Sequence, residues 1–381
     1  MDAEATLADR TILLTQSQLD RPNAVRRRLG DPALAGAYDT FRDFQLAKEL
    51  SVELAYELTH VLGRGTQGVV IATQREPYPG CFTQHALKIF DPTVYRDLET
   101  YHTDLGRIAR QVGVLQRLSH PNLVGCNWLV ERDNVGMLLM ERVDGLGLNA
   151  FRNRKLHASL EDQVDPDRWT HINNVVFADG NHVQPGIALY ILRKILRGIN
   201  VLHRVGYMHC DIKPSNVMLD RFGTIKLIDF GRAIPLDNPD GLMIGSPLYM
   251  PPEVHRREAL TVVGDLYSAG LTALELLHGD YLTNPRSDEA KLLEFKMELP
   301  NQIGDFLSPD LRANTVLMDT LKRLLAVSPR DRYASAADAD TGTTGVRRIH
   351  RQLLRADLDT DYGRELESYM ELRIVGENEL N

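Results

Sequence analysis

Cysteine is scarce in this 381-residue chain: Cys81, Cys126 and Cys210 are its three. No two are close enough in sequence to form a CxxC redox or zinc pair. An odd, sparse count fits a reducing compartment rather than a disulfide framework. The twelve histidines contain no HExxH, so no structural metal site is expected. Long apolar runs are missing too, and none approaches the roughly 18 residues that a membrane helix needs. The N-terminus, MDAEATLADR, is acidic, and its first apolar patch, Ile12 to Leu14, is too short for a secretory signal. A soluble, cytoplasmic protein with no membrane partner is the expectation. Nor is there an excess of positive charge. The formal net charge is -8, which excludes a global basic field for nucleic acid or anionic lipid. Internal repeats and low-complexity segments are also absent.

The remainder is the composition of a globular protein, with 43% hydrophobic and 25% charged residues. The length suggests two or three structural units. Residues 1–55 read as a partly helical extension, with a helix expected over Asp39 to Leu50 and with Phe41, Phe44 and Leu46 as its packing residues. Arg26, Arg27 and Arg28 read as a solvated basic turn. Over 56–143 the apolar runs are strand-like: Val61 and Leu62, VVIA, HALKIF, NLVGCNWLV and VGMLLMERV, with one helix from about Val94 to Leu118. From Ile187 the spacing turns helical, through Ile191, Ile195, Ile199 and Leu202. Short strands NVMLD and TIKLIDF flank a turn at Phe222-Gly223. Residues 144–340 therefore read as a larger helical unit, and 341–381 as a helical tail.

Three patterns carry chemistry. The first is Gly63-Arg-Gly65-Thr-Gln-Gly68-Val-Val70. Glycines allow a hairpin to lie close over phosphates, where a Cβ would intrude. Strand-like residues follow Gly68, whereas a dinucleotide fold would open a helix there, so a dinucleotide-dependent oxidoreductase is excluded. The second is Ala86-Leu-Lys88, a lysine inside an apolar strand that needs an anionic partner such as phosphate; alone it would read as a snorkelling edge lysine. The third is His209-Cys-Asp211-Ile-Lys213-Pro-Ser-Asn216, with Asp229-Phe-Gly231 beyond it. A carboxylate can orient a hydroxyl or take its proton, a lysine can neutralise a transferring phosphoryl group, and the oxygens of Asn216 and Asp229 suit Mg²⁺.

In this order, and followed by Gly245-Ser-Pro-Leu-Tyr-Met-Pro-Pro-Glu253, the motifs resemble the eukaryotic-like, Hanks-type Ser/Thr protein kinase family over about Leu62 to Arg332. The resemblance implies an α+β, two-lobed fold with a small sheet-rich N-lobe and a larger helical C-lobe. It implies ATP and Mg²⁺ as cofactors, and a protein substrate with a serine or threonine acceptor. By the same resemblance Asp211 is the catalytic carboxylate, assisted by Lys213. Lys88 holds the α- and β-phosphates under the loop of Gly63, Gly65 and Gly68. Leu62, Val70, Ala86 and Met218 sandwich the adenine, with Met140 as gatekeeper and Glu141 to Val143 as hinge. Asn216 and Asp229 hold the metal. Glu253 pairs with Arg332, Asp265 anchors the catalytic loop, and Ser246 bonds both the base and the lysine. Lys213 in DxKPxN and Ser246 in GSPxY point to the Ser/Thr class.

Three departures from the pattern stand out. Nine residues before His120, where the family carries a glutamate, stands Gln111, which cannot form an ion pair with Lys88. Asp104, roughly 10 Å further up the helix, and Glu99 are the rival partners. Cys210 replaces the arginine that usually reads an activation-loop phosphate, and the segment between Gly231 and Gly245 holds no serine, threonine or tyrosine. Activation without phosphorylation of that loop is therefore expected, with Leu236, Leu242, Met243 and Ile244 ordering it by packing. Finally, an insertion is expected within about 152–185, with a hairpin around Asp179-Gly180-Asn181. It reads equally as a plain surface insertion and as a docking element. The competing functions are a pseudokinase scaffold, for which Gln111 argues, and a small-molecule kinase, against which the PPE-ending segment argues.

Overall fold

The computed structural model describes residues 31–51, 55–153, 157–161, 164–178, 182–237, 245–356 and 361–379. Arg26 to Arg28, the turn at 179–181, and Leu242, Met243 and Ile244 lie outside them. The contacts divide the chain into two units, 1–120 with 124–143, and 121–123 with 144–381.

The first unit is built on a six-stranded antiparallel sheet: β1 (Glu49–Ser51), β2 (Ala55–Gly65), β3 (Gly68–Tyr78), β4 (Cys81–Phe90), β5 (Cys126–Arg132) and β6 (Val135–Glu141), in the order β1-β2-β3-β4-β6-β5. The expected helix over Asp39 to Leu50 is instead Pro32–Leu46, followed by strand β1. Asp31 sets its start by accepting from Ala33 N at 2.9 Å, with Pro32 as the first helical residue. Its second carboxylate oxygen accepts from Leu98 N at 3.1 Å. Those backbone donors, Leu98 first, hold the Asp31 carboxyl below its usual range. One side chain thus ties the starts of two helices together. Residues 32–51 belong to the sheet's own core, where Ala37, Tyr38, Phe41 and Leu50 pack with Tyr56, Val69, Ile71, Leu87 and Ile89. Phe44 packs against that core, but Leu46, at the helix end and off the buried stripe, is 77% exposed. The long helix runs over Leu98–Leu115 rather than from Val94. Pro92 to Val94 form a 3₁₀ turn, and Asp97 caps the helix through Thr100 N.

In the second unit the helices Pro185–Arg204 and Val263–His278 form the centre. Every residue from Val263 to Leu277 is buried, so this helix is enclosed all round rather than on one face, and the polar side chains it carries, Asp265 among them, are buried with it. The 152–185 insertion contains the helix Pro166–Val175 and the expected hairpin, with Phe177 opposite Val183. It is not isolated: His157 and Phe177 pack their rings against Tyr369 of the helix Tyr362–Glu379, as does Phe151 just before the insertion. That C-terminal helix also sits tightly on Gly186, where a Cβ would fall 1.9 Å from Tyr362 Oη. Among the described residues no helix is long and apolar enough to cross a membrane.

Candidate active site

The glycine loop is the β2–β3 hairpin, with Gly65 opposite Gly68 and Thr66-Gln67 at the turn. Gly68 has φ +147°, and a Cβ there would lie 1.9 Å from the Ile89 carbonyl oxygen. The fold itself therefore requires this glycine. At Gly63 and Gly65 a Cβ would meet nothing within 4 Å, so packing within the fold does not explain them. Leu62, next to the loop, is 44% exposed. Val70 is half-buried, and Ala86 and Met140 are buried and paired across β4 and β6. Glu141 ends β6, and its carboxylate accepts from Gly125 N at 2.9 Å. Val143 follows at the end of the unit.

Lys88 sits on the central strand β4 between Val70 and Leu138 and is 6% exposed. Its ammonium donates to Gln67 Oε1 at 2.9 Å and lies 5.3 Å from the Phe90 ring centroid. A charge so placed needs polar company, and the loop-tip Gln67 provides part of it. The sequence offered no signal for this contact. Gln111 is 2% exposed and lies on the buried face of its helix with Tyr101, Leu105, Ile108, Val112 and Leu115. Asp104 is engaged elsewhere. It accepts from Tyr95 Oη at 2.5 Å and from Arg107 Nε at 2.7 Å. Burial and that carboxylate push the Tyr95 phenol up. Glu99 is exposed. Burial thus sets Gln111 apart from Asp104, which Tyr95 and Arg107 hold, and from the exposed Glu99. Accordingly, Gln111→Glu keeps or raises phosphoryl-transfer activity in a steady-state assay. Loss of activity in both Gln111→Glu and Asp104→Ala would establish the shifted register instead.

In the second unit the loop that carries Asp211 is fixed from several sides. Asp265 accepts from His209 N at 2.8 Å, Cys210 N at 2.9 Å and His203 Nε2 at 2.9 Å. Burial alone would raise this carboxyl, but the bonds from His203 and His209 outweigh it and hold the carboxyl below its usual range. His209 accepts from Asp211 N at Nδ1 and donates from Nε2 to Ile228 O at 3.2 Å. It thereby links the loop to the strand that leads into Asp229. Cys210 and Asp229 both have left-handed backbones, at φ 64° and 57°. Non-glycine residues avoid that region unless their surroundings impose it, and such strain gathers at functional sites.

The side chains converge as the motif requires. Asp211 Oδ1 accepts from Ser246 Oγ at 2.8 Å, and the same hydroxyl accepts from Lys213 Nζ at 2.8 Å. Lys213 Nζ is also 3.5 Å from Asp211 Oδ2. Asn216 Nδ2 donates to Asp211 O at 2.8 Å and Oδ2 at 3.0 Å. With its amide nitrogen so committed, Asn216 keeps its carbonyl oxygen for another partner. Asp229 accepts from Gly231 N at 3.3 Å. A carboxylate and a carboxamide are a sparse, all-oxygen set, which fits Mg²⁺, an ion that keeps water and phosphate ligands. Among the described residues no group of three or more His, Cys, Asp or Glu side chains forms a closed metal cage. Met218 lies on the strand Val217–Asp220 directly after Asn216. Arg232, which the motifs did not single out, brings Nε to 4.0 Å from Asp211 Oδ2. Its place beside Gly231 was the available clue. Behind the site Arg332 and Glu253 form the expected pair, Nη1 to Oε1 and Nη2 to Oε2, both at 2.7 Å.

The protein kinase domain family matches residues 56–340. The chain is 28% identical over 262 residues to the probable serine/threonine-protein kinase PknB of Lactococcus lactis, covering 66% of this chain and 37% of that protein. It is 30% identical over 244 residues to the cAMP-dependent protein kinase catalytic subunit PRKX of Mus musculus, covering 63% of this chain and 60% of that protein. The match thus spans less than two thirds of either relative. The solved kinase domain of Mycobacterium tuberculosis PknI superposes with a TM-score of 0.54 at 22% identity, over 80% of this chain and 98% of that domain. At that identity the likeness is one of fold.

Proposed function

Because the chain belongs to the protein kinase family, we propose that it transfers the γ-phosphate of ATP to serine or threonine hydroxyls of a protein substrate. The observation that carries this reading is the Asp211–Ser246–Lys213 constellation, in which one hydroxyl joins the carboxylate and the cation at 2.8 Å each. Little covalent chemistry is asked of a kinase, and its catalysis is positioning and charge stabilisation. Asp211 accepts the acceptor hydroxyl's proton or orients it, and Lys213 stabilises charge on the phosphoryl group in flight. Lys88 and the loop of Gly63, Gly65 and Gly68 hold the phosphates. By the family's pattern Leu62, Val70, Ala86 and Glu141 to Val143 are the adenine-binding residues of the first unit, and Met218 is that of the second. Asn216 and Asp229 would hold Mg²⁺, which when bound neutralises charge on the phosphates. Phosphoamino-acid analysis of a labelled protein substrate tests the acceptor class: phosphoserine or phosphothreonine is expected, and phosphotyrosine alone would overturn it.

Activity is further proposed not to require phosphorylation of the activation loop. No hydroxyl residue stands between Gly231 and Gly245, and Cys210 cannot pair with a phosphate. The described start of the segment is held without one: Ile234 and Pro235 pair with Met208 and Tyr207, and Leu236 N donates to Gly206 O at 2.8 Å. Ordering by a phosphate would need a charge-assisted arginine partner instead. Protein treated with a broad phosphatase and repurified should therefore start at its full initial rate. A lag that vanishes after autophosphorylation at Ser246 or Tyr249 would contradict this. The second reading, a pseudokinase scaffold, has Gln111 as its observation. Transfer by wild-type protein that disappears in Asp211→Asn separates the two.

A further inference from the structure

Lys296, on the helix Glu289–Gln302, is fully buried at 0% exposure. Its Nζ donates to the Pro247 carbonyl oxygen at 2.6 Å and lies 2.7 Å from His255 Nε2. His255 Nδ1 lies 3.4 Å from Glu289 Oε1. Desolvation pushes the lysine well below its usual range, against the opposing pull of Glu253 and Glu289. Burial and the nearby Lys296 lower the imidazole to about 4, against Glu289 and the Pro247 carbonyl. His255 Nε2 also lies 3.1 Å from Pro247 O; a neutral ring that donates from Nδ1 to Glu289 turns the Nε2 lone pair to Lys296 and leaves Lys296 as the donor to that carbonyl. The amine is then aimed at Pro247.

An interior lysine is a costly way to fill space, since a methionine of similar volume would do so without desolvating an amine. What the lysine adds is a hydrogen-bond donor at a chosen point. Pro247 directly follows Ser246, the residue whose hydroxyl joins Asp211 and Lys213. Two other carbonyls of this short segment are also held. Ser246 O accepts from Tyr249 N and Met250 N at 2.9 and 3.0 Å, and Tyr249 O accepts from Ser268 Oγ at 2.9 Å. Lys296 completes the set at Pro247.

We propose that Lys296 is a positioning residue for phosphoryl transfer, holding the Pro247 carbonyl so that the Ser246 hydroxyl stays seated against Asp211 and Lys213. The proposal rests on the kinase reading above. It needs no contact between Lys296 and substrate, so its signature is a change in kcat at constant ATP affinity.

The test compares wild type, Lys296→Met, which keeps the volume and loses the donor, and Lys296→Gln, which keeps a shorter donor. Melting temperature, KM for ATP, kcat and hydrogen exchange at the Tyr249 and Met250 amides are measured for each. In folded Lys296→Met, kcat is expected to fall about tenfold to a hundredfold, because small displacements of a catalytic arrangement cost that much. KM for ATP should stay within about twofold, and exchange at Tyr249 and Met250 should accelerate. Lys296→Gln should recover part of both changes. Wild-type kcat and wild-type exchange in folded Lys296→Met would overturn the proposal. So would a loss of rate that merely follows the loss of folded protein and is equal in both variants. If Lys296→Met does not fold, Lys296→Gln decides alone: its shorter side chain reaches Pro247 O less well, and wild-type kcat together with wild-type exchange at Tyr249 and Met250 in that variant would likewise overturn the proposal. Should wild type itself transfer no phosphate, the kinase reading falls, and the exchange measurement still decides whether Lys296 restrains the segment.

Discussion

Arg332→Leu is expected to destabilise the helical unit by about 3–5 kcal/mol, the cost of leaving one partner of a buried ion pair alone. The guanidinium is 0% exposed and grips Glu253 through two parallel bonds of 2.7 Å. It also donates from Nη1 to Val263 O at 3.2 Å, from Nη2 to Val327 O at 3.2 Å and from Nε to Ala326 O at 2.9 Å. Its carbon lies 4.8 Å from the Tyr267 ring centroid. Leucine would leave the Glu253 carboxylate and three carbonyls without this donor set. For a unit of this size, about 10 °C of melting temperature is at stake. Thermal or urea unfolding checks it, and a loss below about 1 kcal/mol would show that Glu253 finds other partners. Replacing both residues by leucine should recover part of the loss, because the penalty lies in the orphaned charge rather than in the missing pair.

Asp211→Asn is expected to lower phosphoryl transfer by on the order of a thousandfold or more while the protein stays folded. Asparagine has the same shape, its one side-chain oxygen can still accept from Ser246, and Asn216 keeps its bond to the backbone oxygen of residue 211, so the packing of the loop survives. It cannot take a proton, and it removes the negative charge facing Lys213 Nζ at 3.5 Å. Lys88→Met should have a similar effect through a different route, by removing the cation from β4 while keeping an apolar side chain of similar length there. Initial rates with labelled ATP, read beside circular dichroism of each variant, check both. Near-wild-type rates in either folded variant would mean that the catalytic roles are misassigned.

Much of the site was legible because its chemistry is local. Asp211, Lys213 and Asn216 lie within six residues, and their side chains meet because the loop is short. The strands were legible from apolar runs, and the helix Pro185–Arg204 from its repeat of isoleucines. What escaped the sequence depends on tertiary contact or on turn chemistry. The helix Leu98–Leu115 starts late because Pro92 closes a 3₁₀ turn and Asp97 supplies the cap. Residues 32–51 looked like an extension because nothing local says that Tyr38 and Phe41 fill the core beneath β3 and β4. Leu46 looked like a packing residue, but it falls beyond the buried stripe. The insertion showed its hairpin but not its partner, since Tyr369 stands far along the chain from Phe177. Gln67 beside Lys88, and Lys296 beside Pro247, were invisible for the same reason: a polar residue names its own chemistry but not its neighbour.

The central claim is that Asp211 and its neighbours carry out phosphoryl transfer rather than merely support a binding fold. Purified protein incubated with γ-labelled ATP, Mg²⁺ and a general protein substrate, beside Asp211→Asn prepared identically, tests it most directly. The account predicts label on serine or threonine with wild type and almost none with the variant. Equal label with both proteins, or none with a wild type that still binds nucleotide, would contradict it.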